Sequence, residues 1–212
     1  MSVESNKVLG GVGALLMVIS LLGMFGTPYT LFLLVVGIIL VLIALKGFAD
    51  HYQDGGIFNN ALYGFITVIV GMVATAAIFM MLILQALSGL PIDWTNPMEI
   101  QQYFISHMDV VWQFAGAAVG ALVVFYISLV VSAVLFRKSL DALSTRSGEK
   151  MFGAAGLVWL IGAAIPLIGI IIIWISWILM AVGFFSIKTA QAPVQPPAPT
   201  VQPLQPSQPP PP

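Results

Sequence analysis

Residues 151–187, MFGAAGLVWLIGAAIPLIGIIIIWISWILMAVGFFSI, decide the architecture. A helix needs about twenty apolar residues to cross a bilayer. This block is too long for one such helix and barely long enough for two. Pro166-Leu167-Ile168-Gly169 lies near its middle, where proline either kinks a helix or ends it. A hairpin here makes six spans. A single kinked helix leaves five as the alternative.

The rest of the chain shares this solvent. Of 212 residues, 59% are hydrophobic and 7% charged, whereas a soluble domain carries about a quarter of its residues as Asp, Glu, Lys or Arg. Only a bilayer solvates such a composition, so the fold expected is an all-α, polytopic helical bundle with the lipid bilayer as its surroundings. A net charge of -1 offers no surface for neutralising phosphates, so nucleic acid is not an expected partner. With no cysteine, disulfides, thiolate metal sites and cysteine nucleophiles are excluded.

Apolar length places spans at 8–25, 29–45, 57–87 and 110–136, with 151–165 and 169–187 forming the last hairpin. They compose a transmembrane domain over 8–188, between a short N-terminal tail, 1–7, and a proline-rich tail, 189–212. Six spans put all seven basic residues, Lys7, Lys46, Arg137, Lys138, Arg146, Lys150 and Lys188, on one side with both termini. Basic loops stay cytoplasmic, so N- and C-termini are expected there, in a multi-pass protein of the cell membrane. Lys7-Val8-Leu9-Gly10-Gly11-Val12-Gly13 also echoes Lys150-Met151-Phe152-Gly153-Ala154-Ala155-Gly156, as two hairpins of the same orientation would.

Two connections are expected to hold short interfacial helices. Within 88–109, Asn96-Pro97-Met98-Glu99 is a helix start, with a capping side chain, proline in the first turn and an acid behind them. Within 137–150, alternating charge with Leu140 and Leu143 suits a short surface helix facing anionic lipid.

Four stretches resemble a prokaryotic, largely archaeal membrane-protein family catalogued as domain of unknown function 996. They are Glu4-Ser5-Asn6-Lys7-Val8-Leu9-Gly10-Gly11, Val41-Leu42-Ile43-Ala44-Leu45-Lys46, Ala155-Gly156-Leu157-Val158-Trp159-Leu160-Ile161-Gly162-Ala163 and Ala181-Val182-Gly183-Phe184-Phe185-Ser186-Ile187. The resemblance covers most of residues 4–188. It implies multiple spans and no activity.

Chemistry in a membrane usually begins with an ionisable residue inside the hydrocarbon, and every Asp, Glu, Lys, Arg and His here falls at a span end or in a loop. No catalytic residue, cofactor or metal is therefore expected. His107 with Asp109, or Asp50-His51 with Asp54, is of mixed type without a third ligand at helical spacing, so solvated polar residues are the expected reading. Asn59, Thr67 and Gln113 could line a solute cavity if they converge, though Ser and Thr more often bond helix backbone and Asn and Gln near span ends meet water. Gly10 with Ala14, and Gly116, Gly120, Ser128 and Ser132, are small residues at four-residue spacing, which admits close helix neighbours. Internal packing is the expected use, with association as the other.

A membrane scaffold or accessory subunit is the function expected, bound to a membrane-protein partner or a second copy. Transport of a small neutral solute is the alternative, and catalysis comes third. The tail, with ten prolines and no charge after Lys188, is expected to be a disordered semi-rigid spacer, or else a ligand for a cytoplasmic partner through PxxP segments.

Overall fold

The computed structural model describes residues 2–23, 30–88, 95–166 and 168–188. The proline-rich tail expected at 189–212 lies outside them. Among the described residues the chain forms seven helices: α1 (Val3–Gly23), α2 (Thr30–Tyr52), α3 (Gly55–Leu87), α4 (Pro97–Ser106), α5 (Met108–Ser147), α6 (Lys150–Ala164) and α7 (Gly169–Ser186). Five of them, all but α4 and α6, are long and apolar enough to span a membrane. α6 has 15 residues, roughly 22 Å of helix, and is short of the hydrocarbon thickness.

α6 and α7 run antiparallel, closing so tightly that the Gly162 carbonyl would collide with any Cβ on Gly169. Six helices then form a closed ring in the order α1, α2, α3, α5, α6, α7, with α7 packed back on α1 and the thinnest seam between α2 and α3. α4 touches only α5.

Contacts between neighbours gather the basic residues at one end. Asn6 lies against Gly47, a Cβ on Gly10 would stand 2.6 Å from the Phe184 ring, and Gly153 faces Asp141 and Ser144. Arg146 Nε donates to Asp54 Oδ2 at 2.9 Å, tying the last turn of α5 to the first of α3. Lys7, Lys46, Arg146, Lys150 and Lys188 therefore share what is here termed the basic end. The core sits towards that end too: Phe48 stacks on Phe184 at 6.0 Å, Phe152 meets Phe184 edge-on at 5.0 Å, and Leu45, Ile57, Leu140 and Leu143 close around them.

Residues 137–147 correct an expectation. They form no separate surface helix but continue α5, which runs unbroken for 40 residues to Gly148. Gly148 caps it with φ 74°, a left-handed conformation natural to glycine. Leu140 and Leu143 are fully buried in the bundle rather than laid on lipid, and Ser139 Oγ donates to the Ile57 carbonyl across the α3–α5 contact. Tertiary burial on one face keeps the polar segment helical, because its apolar residues find α3 and α6 as partners.

α4 begins at the expected cap. Asn96 Oδ1 accepts from the backbone N–H of Met98 at 3.2 Å and of Glu99 at 3.4 Å, with Pro97 opening the helix.

Candidate functional site

The α3–α5 pair is longer than the rest of the ring. Tyr126 Oη donates to the Ala164 carbonyl at 2.8 Å, so the far turn of the α6–α7 hairpin lies beside Tyr126. From Tyr126 to Met108, α5 continues for another 18 residues, roughly 27 Å, with α3 and α4 as its neighbours. Val18 and Trp174 place the α1–α2 hairpin at a similar level, since Trp174 Nε1 donates to the Val18 carbonyl at 3.1 Å, five residues before α1 ends and five after α7 begins. The far halves of α3 and α5 form a two-helix arm standing clear of the other four.

Close packing holds α3 and α5 together along the ring and into the arm. Gly71 receives the Ser128 side chain with no room for a Cβ, a Cβ on Gly64 would stand 3.1 Å from the Ser132 carbonyl, and Thr75 Oγ1 donates to the Ala121 carbonyl at 3.3 Å. Ser128 and Ser132 thus face α3, Ser132 being buried. Ala14 is fully buried between α1 and its neighbours.

Gly116 and Gly120 depart from the internal packing expected of them. A Cβ on either would meet nothing within 4 Å. Successive residues at four-residue spacing rotate roughly 40° around a helix, so a row that faces α3 at Ser128 has turned away from it by Gly116. The two glycines lie on a bare face of α5 shared with Trp112, Val119, Val123 and Ile127, all exposed. Two apolar hollows adjoin it and share Leu122 and Phe125: one of about 460 Å³ beside Met72 and Phe79, the other of about 500 Å³ reaching Pro166.

The polar candidates do not converge. Asn59 is exposed near the basic end of α3. Thr67 Oγ1 donates to the Tyr63 carbonyl of its own helix at 2.7 Å. Ser128 Oγ bonds the Val124 carbonyl of its own helix at 3.0 Å. Gln113 borders a hollow of about 300 Å³ with Gln85 at the opposite end of the arm. The acids and histidines are likewise dispersed. Asp50 pairs with Lys46 at 2.8 Å and Asp54 with Arg146, whose guanidinium, together with the Gly56 N–H, holds the Asp54 carboxyl below its ordinary pKa. His107 stacks on Tyr103 at 4.0 Å. Among the described residues no three His, Cys, Asp or Glu gather as metal ligands.

One buried polar group escaped the sequence reading. Asn6 is fully buried, and neither its Oδ1 nor its Nδ2 has a hydrogen-bond partner. Its position ahead of the apolar run gave no sign that Gly47 would admit it between α1 and α2.

The family model described as "Protein of unknown function (DUF996)" matches residues 33–178. Uncharacterized protein MJ1644 of Methanocaldococcus jannaschii is 28% identical over 195 residues, covering 88% of this chain and 94% of that protein. No solved structure matches. Helices α3 to α6 and most of α2 and α7 fall inside the matched region, and on that match the chain belongs to the DUF996 family of proteins of unknown function.

Proposed function

We propose that this protein is a membrane scaffold or accessory subunit, with six membrane-embedded helices in the cell membrane, both termini cytoplasmic and the tail at 189–212 reaching into the cytoplasm. One observation carries the reading: the far arm of α3 and α5 is apolar over most of its exposed surface, and its glycine pair, Gly116 and Gly120, opens onto no helix among the described residues. Small residues let backbones approach within the bilayer, where packing rather than water exclusion drives association. A transmembrane helix of a partner, or the same arm of a second copy, fits that face. The gathering of basic residues at one end supports cytoplasmic termini through the positive-inside rule. Transport is less well supported, because Asn59, Thr67, Gln113 and Ser128 share no cavity. Catalysis has no convergent acid, base or nucleophile to support it.

Cross-linking in native membranes tests the proposal on three forms: the full chain, the chain ending at Lys188, and a Gly116→Leu, Gly120→Leu variant. The full chain is expected to give a discrete cross-linked species, identified by mass spectrometry as a partner or a dimer, that the glycine variant loses while still inserting. Absence of any such species from the full chain would overturn the scaffold reading. Loss on truncation alone would move the contact to the tail.

A further inference from the structure

The seam between α2 and α3 is where the ring packs most thinly, and a cleft of about 550 Å³ opens there, within the roughly 300–1,000 Å³ range of small-molecule sites. Its walls are apolar, built by Ile39, Leu42 and Ile43 of α2 and Leu62 of α3. Its mouth, at the basic end, is polar: Lys46, Asp50 and His51 stand on the last turns of α2. Lys46 Nζ lies 5.6 Å over the Phe58 ring and 2.8 Å from Asp50 Oδ1. Both side chains are more than half exposed, at 54% and 63%, so their mutual attraction is weak and open to exchange.

We propose that this seam binds one phospholipid with an amine-bearing, zwitterionic headgroup. The lipid phosphate takes the Lys46 ammonium, the headgroup amine takes the Asp50 carboxylate, and one acyl chain lies along Ile39, Ile43 and Leu62. Charge complementarity selects this occupant. A cation and an anion one helical turn apart match a phosphate and an ammonium separated by a short linker, and charge-assisted contacts of this kind are the stronger hydrogen bonds. The axial order matches as well. The charged pair sits where the apolar run of α2 ends, and Ile39 lies two turns further along, as headgroup and acyl chain are ordered in a leaflet. A net-anionic lipid would leave Asp50 opposed to its headgroup. The inference rests on the chain being embedded in a bilayer and is independent of the scaffold role.

Native mass spectrometry of the full chain, extracted in mild detergent and offered phosphatidylethanolamine or phosphatidylglycerol in equal amounts, tests it. The unsubstituted chain is expected to retain one phosphatidylethanolamine in preference to phosphatidylglycerol. Lys46→Gln is expected to lower retention of both by roughly tenfold. Asp50→Asn should remove the preference for the amine-bearing lipid, and Ile39→Trp, at an exposed position on the cleft wall, should abolish both adducts with the helical spectrum unchanged. Equal retention of the two lipids by the unsubstituted chain, or an adduct that survives Ile39→Trp, would overturn the site. Displacement of the lipid by inorganic phosphate alone would also overturn it, since the acyl chain would then contribute nothing. A chain recovered in the soluble fraction without detergent would instead refute membrane embedding, so the two failures are distinguishable.

Discussion

Gly13 of α1 and Gly37 of α2 meet backbone to backbone: a Cβ added to either would stand 2.7 Å from the carbonyl oxygen of the other. Neither helix can move away cheaply, because Ala14, Met17 and Val41 are packed into the core beside them. Gly13→Val or Gly37→Val is expected to lower stability by about 1–3 kcal/mol through overpacking. Gly116→Ala and Gly120→Ala, on the bare face of α5, should not lower monomer stability and, by removing a glycine from a helix interior, should each raise it by up to about 1 kcal/mol. Thermal unfolding in detergent distinguishes the pairs, and equal losses in both would contradict this packing.

Asn6 and Gly47 make a coupled site. A methyl at Gly47 would fall on the Asn6 amide, so Gly47→Ala is expected to cost about 1–3 kcal/mol. Asn6→Ala removes a buried amide with no hydrogen-bond partner, whose desolvation costs about 1–3 kcal/mol, and should be neutral or stabilising despite the lost contacts. Because it also makes room, Asn6→Ala combined with Gly47→Ala should recover most of the single loss. Additive effects in this double-mutant cycle would show that the two side chains do not meet.

The Asp54 carboxylate both pairs with Arg146 and caps α3 by accepting from the Gly56 N–H at 3.0 Å. Its folded pKa is below the ordinary value, so the contact's contribution is present above the ordinary carboxylate range and is lost as pH falls through the lowered pKa. Unfolding temperature should therefore fall with acidification in the unsubstituted chain more than in Asp54→Asn. Asp54→Ala, which loses the cap as well, should be the least stable of the three at neutral pH. Indistinguishable pH profiles would mean the pair contributes nothing.

With no cysteine in the chain, single cysteines report position cleanly. The turn at Ile168 lies near the level of Tyr126, roughly 27 Å along α5 from Met108. In vesicles of known sidedness, a cysteine replacing Met98 should react with a membrane-impermeant maleimide from outside and one replacing Lys188 from inside. If the apolar arm is embedded as proposed, a cysteine replacing Ile168 should react much more slowly than either, because the bilayer would then extend beyond that turn. Labelling at Ile168 as fast as at Met98 would place that turn in water.

Much of the helical framework follows from composition and local chemistry. Apolar runs of sufficient length become helices wherever water is excluded, because every backbone N–H and C=O must then be satisfied within its own segment. The Asn96-Pro97 helix start and the break around Pro166 are local as well, each depending on residues within one turn. The sequence by itself determined the class of fold, the helix start at Asn96-Pro97, the break around Pro166 and the absence of charge from the apolar runs.

Only the tertiary structure decided which faces meet. Helices apolar all round carry no stripe to say which side turns inward, so four-residue spacing alone could not show that Ser128 packs on Gly71 while Gly116 and Gly120 stay bare. Nor could it show that Arg137 to Ser147 continues α5, since that depends on Leu140 and Leu143 finding a core contributed by distant segments. Transfer free energy is local to a stretch of chain, whereas packing is settled between residues far apart in sequence.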